Sequence, residues 1–190
     1  MQAGFGPRLG RSFYARPAQV VARDLLGRVI QHGDCAGRIV ETEAYLGTGD
    51  LAAHSARGLT PRTRILFGPP GYAYVYFIYG LHECLNIVAE PEGVAGCVLI
   101  RALEPLAGIE TMRERRKKED LRSLTSGPGK LTQAFGITRA HYGADLTSGE
   151  LLVRRGTQEP FQVDATPRIG IRRDTDLPLR FLIRGSPFVS

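Results

Sequence analysis

The chain has 190 residues, 43% hydrophobic and 23% charged, the proportions of a globular protein long enough to bury a sizeable core as one domain, residues 1–190. No stretch approaches the roughly 20 apolar residues of a membrane span, and MQAGFGPRLG lacks the apolar core of a signal peptide, so a protein without a membrane partner and with a poorly ordered segment at residues 1–10 is expected. The net charge of +6 rests on 22 arginines against three lysines; the planar guanidinium suits phosphate oxygens and so a nucleic-acid partner, although a general bias toward arginine would give the same count.

Pro17 followed by AQVVARDLL and closed by Gly27 predicts a short amphipathic helix. RVIQH and RIVETEAYL form a hairpin across GDCAG. Residues 47–71 are rich in turn formers and carry no apolar strand pattern, which predicts a long functional loop. YAYVYFIYGLHECLNIV, residues 72–88, reads as a second hairpin around Gly80, and CVLIRAL (97–103) as a further strand. IETMRERRKKEDL predicts a charged helix with its basic residues on a solvated face. SGPGKLTQAFG starts a shorter helix, with Ser126 near the cap and Pro128 in the first turn. ELLVRR, RIGIRR and LRFLIRG supply three last strands. With no repeat and no alternating βα pattern, the predicted fold is α+β: a single domain with a curved, partly barrel-like antiparallel sheet and several flanking helices.

Strand alternation places Ile39, Glu41, Glu43 and Tyr45 on one face of RIVETEAYLG and Val40, Thr42, Ala44 and Leu46 on the other, so one face is apolar and the other carries chemistry or water. Asn86 and Arg101 also stand inside apolar strands, where each needs a hydrogen-bond partner. Arg101 has two readings, a structural ion pair with Glu41 or Glu43 and an arginine beside a carboxylate that positions a water, and periodicity does not separate them. Tyr72, Tyr74 and Tyr76 suit a core, whereas Tyr79 abuts Gly80 at a hairpin tip, where an exposed aromatic beside basic loops suits a wedge into DNA. Cys35, Cys84 and Cys97 fit neither a disulfide framework nor a zinc pattern and are expected as buried thiols. The four histidines have no ligand spacing, so no metal and no cofactor are expected.

In order along the chain, RIVETEAYLG, AAHS, TPRTR, GPPGYAYVYFIYG, CLN, CVLIRALEPL, SGPGKL and PLRFLIRGSPFVS resemble the alkyladenine (3-methyladenine) DNA glycosylase family, over roughly residues 11–190. The resemblance implies a monofunctional repair enzyme acting on damaged double-stranded DNA; a monomer is expected, and the missing span and signal core point to the cytoplasm of a bacterial-type cell. Such an enzyme flips an alkylated purine out of the helix and hydrolyses its N-glycosidic bond. Matched position by position, Glu43 is the water-activating carboxylate, Arg101 helps to hold the water, and the main-chain carbonyl of Ile169 is a third contact to it. Tyr45, His54 and Tyr76 sandwich the flipped base, Tyr79 fills the vacated stack and Asn86 crowds guanine. Parity alone allows Glu41 equally; only the resemblance selects Glu43. Lys130, at a predicted helix start, suits a DNA phosphate.

Two rivals differ from this reading. A glycosylase with lyase activity needs an amine nucleophile, and none of the three lysines lies in the tyrosine-rich strands or near Glu43. A non-catalytic nucleic-acid-binding module leaves Glu43 unexplained, since a carboxylate there repels phosphate. Glu83 departs from the family pattern just behind the hairpin tip, where a carboxylate near the DNA backbone is expected to weaken local contacts.

Overall fold

Ala18, Val21, Ala22 and Leu25 recur at helical spacing and are all buried, which is why Ala18–Leu25 folds as a helix (α2) with one face on the core. The computed structural model describes residues 4–78, 80–156 and 159–190. A single turn, Arg11–Tyr14 (α1), precedes α2. Pro17 caps α2, and because its side chain accepts nothing, the Glu90 carboxylate takes the Ala18 amide at 2.7 Å.

Eight strands follow: Val29–His32 (β1), Cys35–Tyr45 (β2), Ala73–Ile78 (β3), His82–Val88 (β4), Cys97–Ala107 (β5), Leu152–Arg154 (β6), Val163–Thr166 (β7) and Arg180–Ile183 (β8). All pair antiparallel in the order β3-β4-β5-β2-β1-β6, with β8 beside β2 and β7 beside β8. Strand β2 is the centre. Its whole length pairs with β5 on one edge, while the other edge is divided between β1 at residues 35–38 and β8 at 41–43. A strand that changes partner midway must bend, and the register shifts between Ile39 and Thr42 mark the bend. The sheet curls into a half-barrel with α2 and the helix Pro128–Phe135 (α4) packed against it, so the fold is α+β, as the sequence predicts.

Two expectations need correction. The charged helix ends early, spanning Ile109–Arg116 (α3) with Lys117 at φ +54°, because Met112 is its only buried residue and no apolar face holds a further turn. RIGIRR is not a strand: Gly170 takes φ +75°, which is incompatible with a pleat, the Arg168 side chain pairs with Asp50, and β7 forms upstream instead. The loop 47–71 contains two tight 3-10 turns, His54–Arg57 and Arg64–Phe67. The N-terminal segment is held from Phe5 onward, since Phe5 and Pro7 carbonyls accept the Gly156 and Arg155 amides and the Leu9 amide reaches Val153, each at 2.9 Å. The three cysteines are free and buried, as expected.

Candidate active site

Cross-strand pairing aligns one residue from each of five strands. Tyr74 pairs with Asn86, Asn86 with Leu99, Leu99 with Glu43 and Glu43 with Arg180. Directly opposed residues point to the same face of a sheet, and the first four of this row line one cleft of about 750 Å³. The bend in β2 breaks simple alternation: Ile39 and Val40 both enter the main core, while Glu41 and Glu43 turn together toward arginines.

Glu43 is wholly buried and held from three sides. The Ile169 amide donates to Oε1 at 2.8 Å, Arg101 Nη1 lies 3.3 Å from the same oxygen, and the Tyr45 hydroxyl donates to Oε2 at 3.0 Å. Burial first, and the Glu43 charge second, push the Tyr45 phenol far above its ordinary range, so it stays a donor. Ile169 therefore meets Glu43 through its N–H, an engagement that the expected carbonyl contact does not include.

Glu41, one turn of the pleat away, is equally buried but spoken for. It accepts from Arg101 Nε at 3.0 Å, Arg180 Nε at 2.6 Å, the Ser190 amide at 2.6 Å and the Ser190 hydroxyl at 2.9 Å. Arg101 thus divides its guanidinium between the two carboxylates, and the ion pair and the active-site placement are one arrangement. With its acceptors filled, Glu41 has little left to offer a ligand; Glu43 faces the cleft.

Aromatic rings wall the cleft. His54 Nδ1 lies 2.9 Å from the Tyr74 hydroxyl, and the His54 and Tyr76 rings meet edge to face at 4.6 Å. Desolvation by the surrounding protein, then the nearby Arg62 charge, push the His54 imidazole down to about 4, so it is neutral at pH 7. Asn86 is 2% exposed; its Nδ2 donates to the Tyr74 carbonyl at 3.3 Å and its Oδ1 accepts the Cys97 thiol at 3.8 Å. At the mouth, Lys130 stands in the first turn of α4, Nζ 3.4 Å from Ser126 Oγ, and Arg116, Arg172 and Arg173 join it. Arg139 Nε pairs with Glu83 at 3.1 Å, which compensates the carboxylate that breaks the motif. Tyr79 lies outside the described residues.

The profile of the methylpurine-DNA glycosylase family matches residues 12–187. The chain belongs to this family. It is 51% identical to proteins carrying the provisional name 3-methyladenine DNA glycosylase in Chlorobaculum tepidum (96% of this chain, 90% of that protein), Koribacter versatilis (96% and 92%) and Methanoculleus marisnigri (96% and 98%). Methylpurine-DNA glycosylases are DNA repair enzymes that hydrolyse N-glycosyl bonds, and that is the enzyme class of this chain.

Several residues that support the glycosylase cleft from behind escape sequence reasoning. Arg168 and Asp50 form a buried bidentate pair behind Tyr45, and Ser190 closes the Glu41 side. One arginine among 22 and one aspartate in a turn-rich loop carry no distinguishing pattern. Tyr74 gives a signal that misleads: its strand position suits a core, and it is 1% exposed, yet its hydroxyl orients His54. Among the described residues there is no group of three or more metal-ligating side chains and no helix long and apolar enough to cross a membrane.

Proposed function

We propose that this glycosylase flips an alkylated purine of the 3-methyladenine class out of duplex DNA and hydrolyses its N-glycosidic bond with a water activated by Glu43, leaving an abasic site and performing no lyase step. The observation that carries the reading is the Glu43 carboxylate, fixed by Ile169, Arg101 and Tyr45 at the floor of an aromatic cleft. Alkylation at N3 or N7 makes the purine cationic, so the base departs neutral with the C1′–N bonding electrons and needs no general acid. The sugar gains oxocarbenium character, which the carboxylate stabilises while taking a proton from the attacking water. The Ile169 amide and Arg101 keep the carboxylate from rotating, and the Ile169 carbonyl and Arg101 guide the water.

In this reading Tyr45, His54 and Tyr76 hold the extruded base by stacking, which offsets part of the few kcal/mol of unstacking. Asn86 guards the purine edge, Tyr79 fills the vacated stack, and Lys130 with the neighbouring arginines receives the backbone phosphates. Lys130, the one lysine lining the cleft among the described residues, stands at its mouth beside Ser126 and serves phosphate rather than a Schiff base. Every named group comes from one chain, so a monomer suffices.

A duplex bearing a single alkylated purine tests the reading. Incubation should release the free purine and leave an alkali-labile abasic site, and borohydride should trap no protein–DNA adduct. A trapped adduct, or a strand break without alkali, would contradict the hydrolytic mechanism.

A further inference from the structure

Among the described residues, the most thoroughly buried ion pair lies behind the Tyr45 ring, where the hydrolytic mechanism assigns it no role. The Arg168 side chain is 0% exposed and that of Asp50 1%. Arg168 Nη1 and Nη2 reach Asp50 Oδ2 and Oδ1 at 2.5 and 2.8 Å, and Nη1 also donates to the Ala44 carbonyl at 3.0 Å. The guanidinium carbon sits 4.7 Å from the centre of the Tyr45 ring. Asp50 in turn accepts the Leu46 and Ala52 amides at 3.1 and 3.0 Å. One pair therefore joins the end of β2, the loop that leads to His54, and the segment whose next amide, Ile169, holds Glu43.

Tethering alone would favour an arginine with every donor used. Arg168 Nε is instead buried with no partner, so the guanidinium keeps its place over the ring at the cost of a hydrogen bond. A cation under one face of an aromatic ring competes for the same quadrupole that would attract a cation on the other face. Asp50, at bidentate distance, offsets most of that charge.

We propose that Arg168 and Asp50 are positioning and selectivity residues, a balanced ion pair behind Tyr45 that sets how strongly this wall attracts a cationic purine relative to a neutral one. The inference rests on the reading of Tyr45 as a wall for the extruded base. Unbalancing the pair has opposite consequences for its two members. Arg168→Gln leaves a carboxylate behind the ring and favours cationic bases; Asp50→Asn leaves a guanidinium and disfavours them.

The test measures binding to duplexes carrying 7-methylguanine, a cation, or hypoxanthine, which is neutral, each relative to undamaged duplex, in a Glu43→Gln background that prevents turnover. The cationic-to-neutral affinity ratio should rise about three- to tenfold with Arg168→Gln and fall by a similar factor with Asp50→Asn, as expected for a unit charge about two ring thicknesses away in a partly wet site. Arg168→Lys keeps the charge without the fork and should hold the ratio near the parent value while weakening both complexes. A purely structural pair would lower both affinities together. Ratios that stay fixed, or that move the same way in both variants, overturn the proposal; Asp50→Asn is isosteric and carries the test if Arg168→Gln fails to fold. Tyr45→Ala separates the two levels: if it changes neither affinity, the wall reading itself fails, whereas if it weakens both while the ratios above stay fixed, only the ion-pair inference falls.

Discussion

Asn86 shows how tightly a single side chain is constrained here. Its Nδ2 is committed to the Tyr74 carbonyl and its Oδ1 to the Cys97 thiol, and Cys97, wholly enclosed, has its thiol pushed up to about 12 by burial and then by Asp50, so the S–H persists as a donor. With Oδ1 so committed, the amide is not free to accept from guanine's exocyclic C2 amino group, which hypoxanthine lacks; under the proposed function its bulk is what would exclude guanine. Asn86→Ser should therefore raise excision of guanine relative to hypoxanthine about tenfold, read as a ratio of single-turnover rates on identical duplexes. An unchanged ratio in a folded variant would make Asn86 structural only. The position was legible in the sequence because a polar residue interrupts an apolar strand. Glu43 was less so: Glu41 shares its parity and its burial, and the difference lies in Arg180 and Ser190, whose approach no local pattern encodes. Arg168 and Asp50 were not legible at all, since their pairing spans 118 residues.

At the scale of elements, what periodicity and caps agree on formed as read. The helices Ala18–Leu25 and Pro128–Phe135 carry apolar residues at helical spacing and a proline at the start, and both hairpins turn at glycines with positive φ, Gly33 and Gly80. RIGIRR failed because alternation counts apolar residues without regard to the left-handed conformation at Gly170, and α3 stopped where burial, not propensity, ran out. The close of β2 shows the same dependence on tertiary contact. Gly47 has φ +91°, and a Cβ there would stand 2.1 Å from the Ala95 carbonyl oxygen. Gly47→Ala adds backbone strain to a steric clash and should destabilise the protein by about 2 kcal/mol or more, about 4–8 °C in thermal midpoint for a chain of this size. A melt within a degree of wild type would mean that the loop after Tyr45 yields freely.

For the whole molecule, the net charge of +6 understates a division of labour. Arg101, Arg168 and Arg180 are spent on internal carboxylates, while Arg116, Lys130, Arg172 and Arg173 border the cleft mouth. Composition does not separate phosphate binding from a bias toward arginine, and the position of these four groups favours phosphate under the proposed function. If these four groups neutralise phosphates, the logarithm of DNA affinity should fall with the logarithm of salt at a slope of about −3 to −4, on damaged and undamaged duplex alike. Lys130→Ala should reduce that slope by about one, and a slope unchanged by the substitution would place Lys130 off the DNA path.

Two buried carboxylates share one strand, and the proposed hydrolysis needs only one of them. Glu41, with four donors on its two oxygens, holds Arg101 in place; Glu43 meets the cleft. The most direct measurement is the single-turnover rate of purine release from an alkylated duplex by Glu43→Gln and Glu41→Gln, with DNA binding measured on the same samples. Glu43→Gln should bind DNA as wild type does and release base about 10² to 10⁴ times more slowly, the scale of a lost general base, while Glu41→Gln should lose far less. The reverse order, with Glu41→Gln inactive and Glu43→Gln active, would assign the hydrolysis to Glu41 instead.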